Sequence, residues 1–295
     1  MDFTPTHSID ELKSNFDLTI EQTVRIAGRI TAIRRHGRSM FLDIRNLKDR
    51  IQLYGKADDL GDSYEELIEC HVGDFIGVEG VTFKTHTGEP SVRIHKFYIL
   101  TRASRPLPEK WHGITDVETR YRRRYLDLIA NENSRKIFLL RTRMIKEIRK
   151  FLEDMGFIEV ETPILHTVPG GGAARPFITH HNALNIDLYL RIALELYLKR
   201  LIVAGYEKVF EINRCFRNEG ISTVHNPEFT MMELYQAYAD YNTMMSLTEE
   251  LIVHLASTLF GKPIIYRDNE EIDISPPWDR RELLDIVIEY TGVNP

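Results

Sequence analysis

Between Val209 and Tyr238 the chain gathers arginine, carboxylates and aromatics at strand spacing, the side chains with which a protein holds a polar ligand. The run Val-Phe-Glu-Ile-Asn-Arg-Cys-Phe-Arg-Asn-Glu leads into Gly-Ile-Ser-Thr-Val-His-Asn-Pro and then Glu-Phe-Thr-Met-Met-Glu-Leu-Tyr-Gln-Ala-Tyr. Two strands around a polar loop are expected. A side-chain period of two puts Glu211, Asn213, Arg217 and Glu219 on one face of the first strand, with Phe210, Ile212 and Phe216 on the other. In the returning strand Phe229, Met231, Glu233 and Tyr235 share a face, opposite Thr230, Met232 and Leu234. The apolar face reads as core. The other is too polar to be buried without partners and too aromatic for a plain solvated edge, so a ligand is its natural partner. Alternation alone leaves an amphipathic hairpin with a wet outer face equally open.

Two nearby features resemble phosphate or metal sites and lack their spacing. Gly170-Gly-Gly172 has no Lys-Ser or Lys-Thr after it and no GxGxxG pattern, so it reads as a mobile substrate loop. His180-His181 has no third ligand at metal spacing; it reads as a hydrogen-bonded loop, and no metal site is expected.

The elements that must position these groups are legible along the chain. From Val24 to Leu100 short alternating runs carry strand chemistry: Val24 to Ile33, Met40 to Ile44, Arg50 to Tyr54, Phe75 to Phe83 and Ser91 to Leu100. A helix over Leu60 to Cys70 interrupts them. Three strands, a helix and two strands is the order of an OB-fold, a barrel that commonly binds single-stranded nucleic acid. Arg105-Pro-Leu-Pro108 disfavours helix and central strand alike and is expected to link residues 1–104 to a second domain over 105–295. There the clearest helix spans 134 to 155, with Ser134 as N-cap, Gly156 as terminator, and Ile137, Leu140, Met144, Ile148, Phe151 and Met155 along one face. A strand, Phe157 to Val160, runs into Glu161-Thr-Pro163. Further helices are expected over Glu195 to Ala204, ending at Gly205, and Thr243 to Phe260.

Composition excludes several classes. The 295 residues exceed the usual size of one core, and no stretch approaches the roughly 20 apolar residues of a membrane span. The first residues have neither a basic nor an apolar leader region, so the cytoplasm is the expected compartment. Cys70 and Cys215 lack CxxC spacing and read as free thiols. A net charge of −6 argues against a protein that coats nucleic acid nonspecifically. Local contact through Arg25, Arg29, Arg34, Arg35 and Arg38, or through Arg120, Arg122, Arg123 and Arg124, stays open beside the plainer reading of solvated charge.

Phe216-Arg217-Asn218-Glu219, followed by His225 and Phe229, resembles motif 2 of the class II aminoacyl-tRNA synthetases, and this decides against a plain wet hairpin. The helix from 134 through the strand to Pro163 resembles motif 1, the family's dimer interface. Arg122-Arg-Arg-Tyr-Leu-Asp-Leu128 resembles the entry to the catalytic domain in the lysine, aspartate and asparagine subgroup. Pro169 to Asn182, Glu195-Leu-Tyr-Leu-Lys-Arg200 and Asn226 to Tyr235 are similar to the lysine branch. The implied architecture is α+β: an N-terminal OB-fold β-barrel, then an incomplete class II synthetase antiparallel sheet flanked by helices.

The resemblance implies a ligase that activates lysine with ATP and Mg2+ and transfers it to tRNA(Lys), working as a homodimer with no membrane partner. It sets Arg217 between the lysine carboxylate and the α-phosphate. It gives Glu219 and Asn226 contacts to adenine, His225 the phosphates, and Phe229 stacking on the base. It brings Glu195 and the backbone around Gly171 to the α-ammonium, and Glu233 with Tyr235 to the side-chain ammonium. In the barrel it gives Arg34, Phe41 and Gln52 the anticodon. Leu194 departs from the pattern, where many bacterial members carry proline, and its presence is expected to loosen the approach of Glu195.

No Gly-x-Asp-Arg or similar block occurs, so motif 3 is absent and the magnesium ligands are expected beyond residue 295. The chain is therefore read as a fragment, inactive alone, with exposed sheet edge and apolar surface that favour self-association. The competing class is a synthetase-derived RNA-binding or regulatory protein without catalysis. An aspartate- or asparagine-type enzyme fits less well, because paired pocket acids suit a cation.

Overall fold

A computed structural model describes residues 3–107, 114–222, 224–267 and 270–294. Pro108 of the expected linker, Thr223 of the expected loop and the terminal Pro295 lie outside the described residues. Contacts divide the chain into two compact units, Met1–Ile137 and Phe138–Pro295.

The first unit opens with helix α1 (Ile9–Ser14), whose start is closed by a reciprocal Ser8–Glu11 capping box. Strands β1 (Thr23–His36), β2 (Ser39–Arg45), β3 (Arg50–Lys56), β4 (Phe75–Lys84) and β5 (Pro90–Thr101) follow. They pair in the order β1-β2-β3-β5-β4, and β1 also pairs with β4, which closes the barrel. Alternation is the cause: Val24, Ile26 and Ile30 point inward from β1, Met40, Leu42 and Ile44 from β2, and Ile51 and Leu53 from β3, all buried. The helix expected over Leu60 to Cys70 is instead two, α2 (Ala57–Leu60) and α3 (Ser63–Ile68). Gly61 breaks it by turning the backbone to φ +55. Helices α4 (Val117–Arg122) and α5 (Arg124–Ala130) complete the unit.

Helix α6 (Glu132–Asp154) begins two residues before the expected start. Ser134 is therefore inside the helix and is not its N-cap: it is 5% exposed, and its hydroxyl accepts a hydrogen bond from Arg120. In the second unit β6 (Ile158–Glu159) pairs parallel with β10 (Lys208–Phe216), which pairs antiparallel with β11 (Glu228–Gln236). Strands β7 (Leu165–His166), β8 (Ile178–His181) and β9 (Ile186–Leu190) form a second sheet in the order β7-β9-β8. Helix α7 (Glu195–Val203) lies in sequence between β9 and β10. After β11 come α8 (Tyr241–Phe260), the hairpin β12 (Ile264–Arg267) and β13 (Glu270–Asp273), and α9 (Leu283–Thr291).

Phe210, Ile212, Met232 and Leu234 form the even face of the β10–β11 pair and pack with Ile148, Phe151 and Leu152 of α6 and Leu247 of α8. This is the apolar face expected from the sequence. Val209, Cys215, Phe229, Met231 and Tyr235 on the odd face pack with Leu194, Leu198, Leu201 and Ile202, so α7 covers part of the face read as ligand-facing. No helix among the described residues is long and apolar enough to cross a membrane.

Candidate active site and nucleic-acid face

Strand β10 ends at Phe216, which leaves Arg217 one residue past it and Glu219 in the connecting loop rather than on the strand. Arg217 donates its backbone N–H to Pro227 O at 2.8 Å, and its guanidinium lies 5.2 Å from the Phe229 ring centroid. Its Nε is buried without a hydrogen-bond partner among the described residues. A buried unmatched donor is unfavourable, and an incoming oxygen would satisfy it.

The loop is held from its base. Asn218 N–H donates to Arg175 O at 2.8 Å, and Arg175 N–H donates to Glu219 Oε1 at 3.4 Å. Ser222 Oγ and His225 Nδ1 lie 2.8 Å apart. Glu219, His225 and Asn226 are exposed.

Four residues along β11 from Phe229, about 13 Å at the strand rise, Glu233 occupies the same face. Its Oε1 accepts the Leu194 N–H at 3.1 Å, and its Oε2 accepts the Tyr235 hydroxyl at 3.3 Å. Glu233 thus supplies the cap at the start of α7, where Leu194 offers no capping side chain. Burial, then the nearby charges of Glu233 and Glu195, holds the Tyr235 hydroxyl well above the usual tyrosine range, so it stays a donor. Glu195 opens α7 and pairs with Lys199 one turn on. Gly171 sits against it: a Cβ there would lie 3.3 Å from Glu195 Cβ and 3.1 Å from Ala193 Cβ, and φ is +85. Glu195, Glu233, Tyr235 and Gly171 therefore meet at the start of α7.

Glu211 was expected among the ligand-facing acids and is instead consumed inside the protein. It is 1% exposed, ion-paired with Arg191 at 2.7 Å, and accepts the Thr162 hydroxyl at 2.6 Å and the Asn213 amide at 3.1 Å. The sequence reading missed Arg191; the only signal was an arginine directly after the apolar strand Ile186–Leu190. His180 and His181 lie on β8 rather than in a loop, and His180 Nδ1 is 2.8 Å from Asp187 Oδ1 across the β8–β9 pair. Asn185, at φ +51, makes the tight connection that the sequence reading overlooked. Cys70 and Cys215 are buried free thiols, and burial pushes each up to about 11.

On the barrel, register aligns a second polar face. Arg34 opposes Phe41, Phe41 opposes Tyr54, Tyr54 opposes Arg93, and Asp43 opposes Gln52. The Phe41 and Tyr54 rings are 5.0 Å apart, Phe83 lies 6.1 Å beyond Tyr54, and Arg93 covers Phe83. Beneath them Asp43, 2% exposed, accepts both ends of the Arg34 fork at 2.8 and 3.2 Å and also binds Arg50 at 3.2 Å. Gln52 accepts the Ser91 hydroxyl through Oε1 at 2.9 Å, which orients its NH2 edge. Arg34, Phe41 and Gln52 thus share one face, and Tyr54, Phe83, Arg93 and Asp43 enlarge it beyond the sequence reading. The other arginines of the two basic patches are largely engaged: Arg25 with Glu79, Arg38 with Asp58, Arg122 with Glu118, and Arg120 and Arg124 with Asp127.

Residues 116–294 match the family model for tRNA synthetases class II (D, K and N), and residues 24–100 match that for the OB-fold nucleic acid binding domain. The chain belongs to the class II tRNA synthetases of the D, K and N group. Among named relatives it is 55% identical over 293 residues to the lysine--tRNA ligase of Carboxydothermus hydrogenoformans, covering 99% of this chain and 60% of that protein. The lysine--tRNA ligases of Moorella thermoacetica and Bacillus subtilis are each 52% identical, over the same shares. The chain thus spans about 60% of the length of the curated relatives it matches.

Proposed function

We propose that this chain is the anticodon-binding and ATP-binding portion of a lysine--tRNA ligase, with residues 1–104 reading tRNA(Lys) and residues 105–295 contributing to lysine activation. The observation that carries this reading is the pairing of an arginine with an unmatched buried donor, beside an aromatic ring, with two carboxylates at the start of α7. The names of the relatives support the choice of lysine.

In the adenylation step the lysine carboxylate attacks the α-phosphorus of ATP, the bond to pyrophosphate breaks, and negative charge grows on the phosphate oxygens. No proton need be removed, so orientation and charge stabilisation carry the catalysis. The Arg217 fork holds a carboxylate oxygen and a phosphate oxygen together. Its guanidinium lies over one face of Phe229, so adenine stacks on the other, while Glu219 and Asn226 read the base and His225 meets the phosphates. Glu195 and Gly171 take the α-ammonium; Glu233 and Tyr235 take the side-chain ammonium. Two acids against two cations balance the charge of a buried lysine. The amino acid then passes to the 3′ end of tRNA, with AMP leaving. No group of three His, Cys, Asp or Glu among the described residues could hold Mg2+.

The test is lysine-dependent ATP–pyrophosphate exchange by the full-length protein. Exchange driven by lysine and not by aspartate or asparagine is expected, and Arg217→Ala should lower kcat about 100-fold, or about 3 kcal/mol. Exchange driven by aspartate, or none with lysine, overturns the reading.

A further inference from the structure

Arg191 is fully buried, and both its backbone and its side chain are hydrogen-bonded. Its backbone N–H donates to Ile164 O at 2.9 Å, and its carbonyl accepts the N–H of Phe216 at 2.9 Å. Its side chain donates from Nε to Arg214 O at 2.8 Å, and from Nη1 to Thr162 O and Thr162 Oγ1 at 3.1 Å and to Glu211 Oε1 at 2.7 Å. Three of the residues it grips, Glu211, Arg214 and Phe216, belong to β10, and the last of them immediately precedes Arg217. In the other direction, Ile192, Ala193 and Leu194 lead straight from Arg191 to Glu195 and the bond between Leu194 and Glu233.

A buried ion pair is weak grounds for stability, because an apolar pair of similar volume often serves as well. Its Nη2 is buried with no hydrogen-bond partner among the described residues. What the network does achieve is geometric. It fixes the end of β10 to the segment that delivers α7, and so sets the spacing between the arginine and the carboxylates of the candidate site. We propose that Arg191 is a positioning residue for lysine activation, with Thr162 and Glu211 completing its clamp, and that it acts through the placement of Arg217 and Glu195 without touching substrate.

The inference rests on the adenylation reading, and the two fail separately: a wild-type protein without lysine-dependent exchange removes that reading, whereas an active wild type with unaffected variants removes this one. Arg191→Lys keeps the charge facing Glu211 and loses the fork. In the full-length protein it should lower kcat for exchange about 30-fold or more and raise KM for both lysine and ATP, since displacements near 1 Å cost on the order of 100-fold. Affinity for an anticodon stem-loop RNA should stay unchanged. A variant that melts earlier yet keeps wild-type kcat and KM well below its melting temperature would make the residue structural only and overturn the proposal. Should Arg191→Lys fail to fold, Thr162→Val removes the hydroxyl shared by Arg191 and Glu211 at little change of volume. A loss in kcat of about fivefold supports the clamp, and unaltered kcat in folded protein overturns it.

Discussion

Gly171 shows how a single hydrogen atom in place of a side chain lets a loop approach the start of α7 closely. Its backbone is left-handed, and an added Cβ would press on Ala193 and Glu195. Gly171→Ala should cost about 1–2 kcal/mol of stability and raise KM for lysine several-fold by displacing Glu195, measured by urea unfolding and by lysine titration of exchange. An unchanged KM would show that the loop does not position the acid. Leu194 carries a different lesson. Its N–H has a use that a proline at this position would lack, the bond to Glu233 Oε1. Leu194→Pro should therefore release one carboxylate oxygen toward a cationic ligand and lower KM for lysine with kcat preserved. A rise in KM would refute this.

At the scale of elements, Asp127 of α5 ties together α4, α5 and the segment beyond. Its side chain is fully buried and accepts from Arg120 Nε at 2.9 Å, Arg124 Nη1 at 2.6 Å and the Asn131 amide. Burial alone would raise its carboxyl; the bonds from Asn131, Arg120, Ser134 and Arg124 outweigh it and hold the group well below the usual carboxylate range. A depressed folded-state value means that the stabilisation is complete above the unfolded value near 3.8 and fades as pH falls below it. Asp127→Asn should cost about 2 kcal/mol at pH 7, with the gap to wild type narrowing once pH drops below about 4, as denaturant titrations at several pH values would show.

The elements most legible in the sequence are those whose signal is local. The five barrel strands follow from alternation that buries Val24, Ile26, Ile30, Leu42 and Leu53, α7 stops within two residues of the expected Gly205, and α8 ends at the expected Phe260. The pairing of Arg217 with Phe229 was legible through the resemblance to motif 2. What was not legible depends on partners distant in sequence. Thr162 lies 49 residues from Glu211, and Arg191 lies 20 from it, so nothing local marks Glu211 as consumed. Ser134 fits an N-cap by type, yet Arg120 claims its hydroxyl.

At the scale of the whole molecule, apolar residues on α6 divide in their use. Ile148 and Phe151 pack against β10 and α8, whereas Ile137 is 63% and Met144 37% exposed. A homodimer through this helix is the proposed cover. Met144→Asp should weaken self-association of the full-length protein at least about tenfold in sedimentation analysis, and an unaltered dimer would place the interface elsewhere. With a net charge of −6, the proposed RNA affinity must come from a small area. Asp43 already pairs with both Arg34 and Arg50, on the face that carries the Phe41 and Tyr54 rings. Arginines already paired with Asp43 displace few of the counterions condensed on RNA phosphates, so under the proposed anticodon-reading role binding to this face draws on ring overlap with unstacked bases and should vary only shallowly with ionic strength.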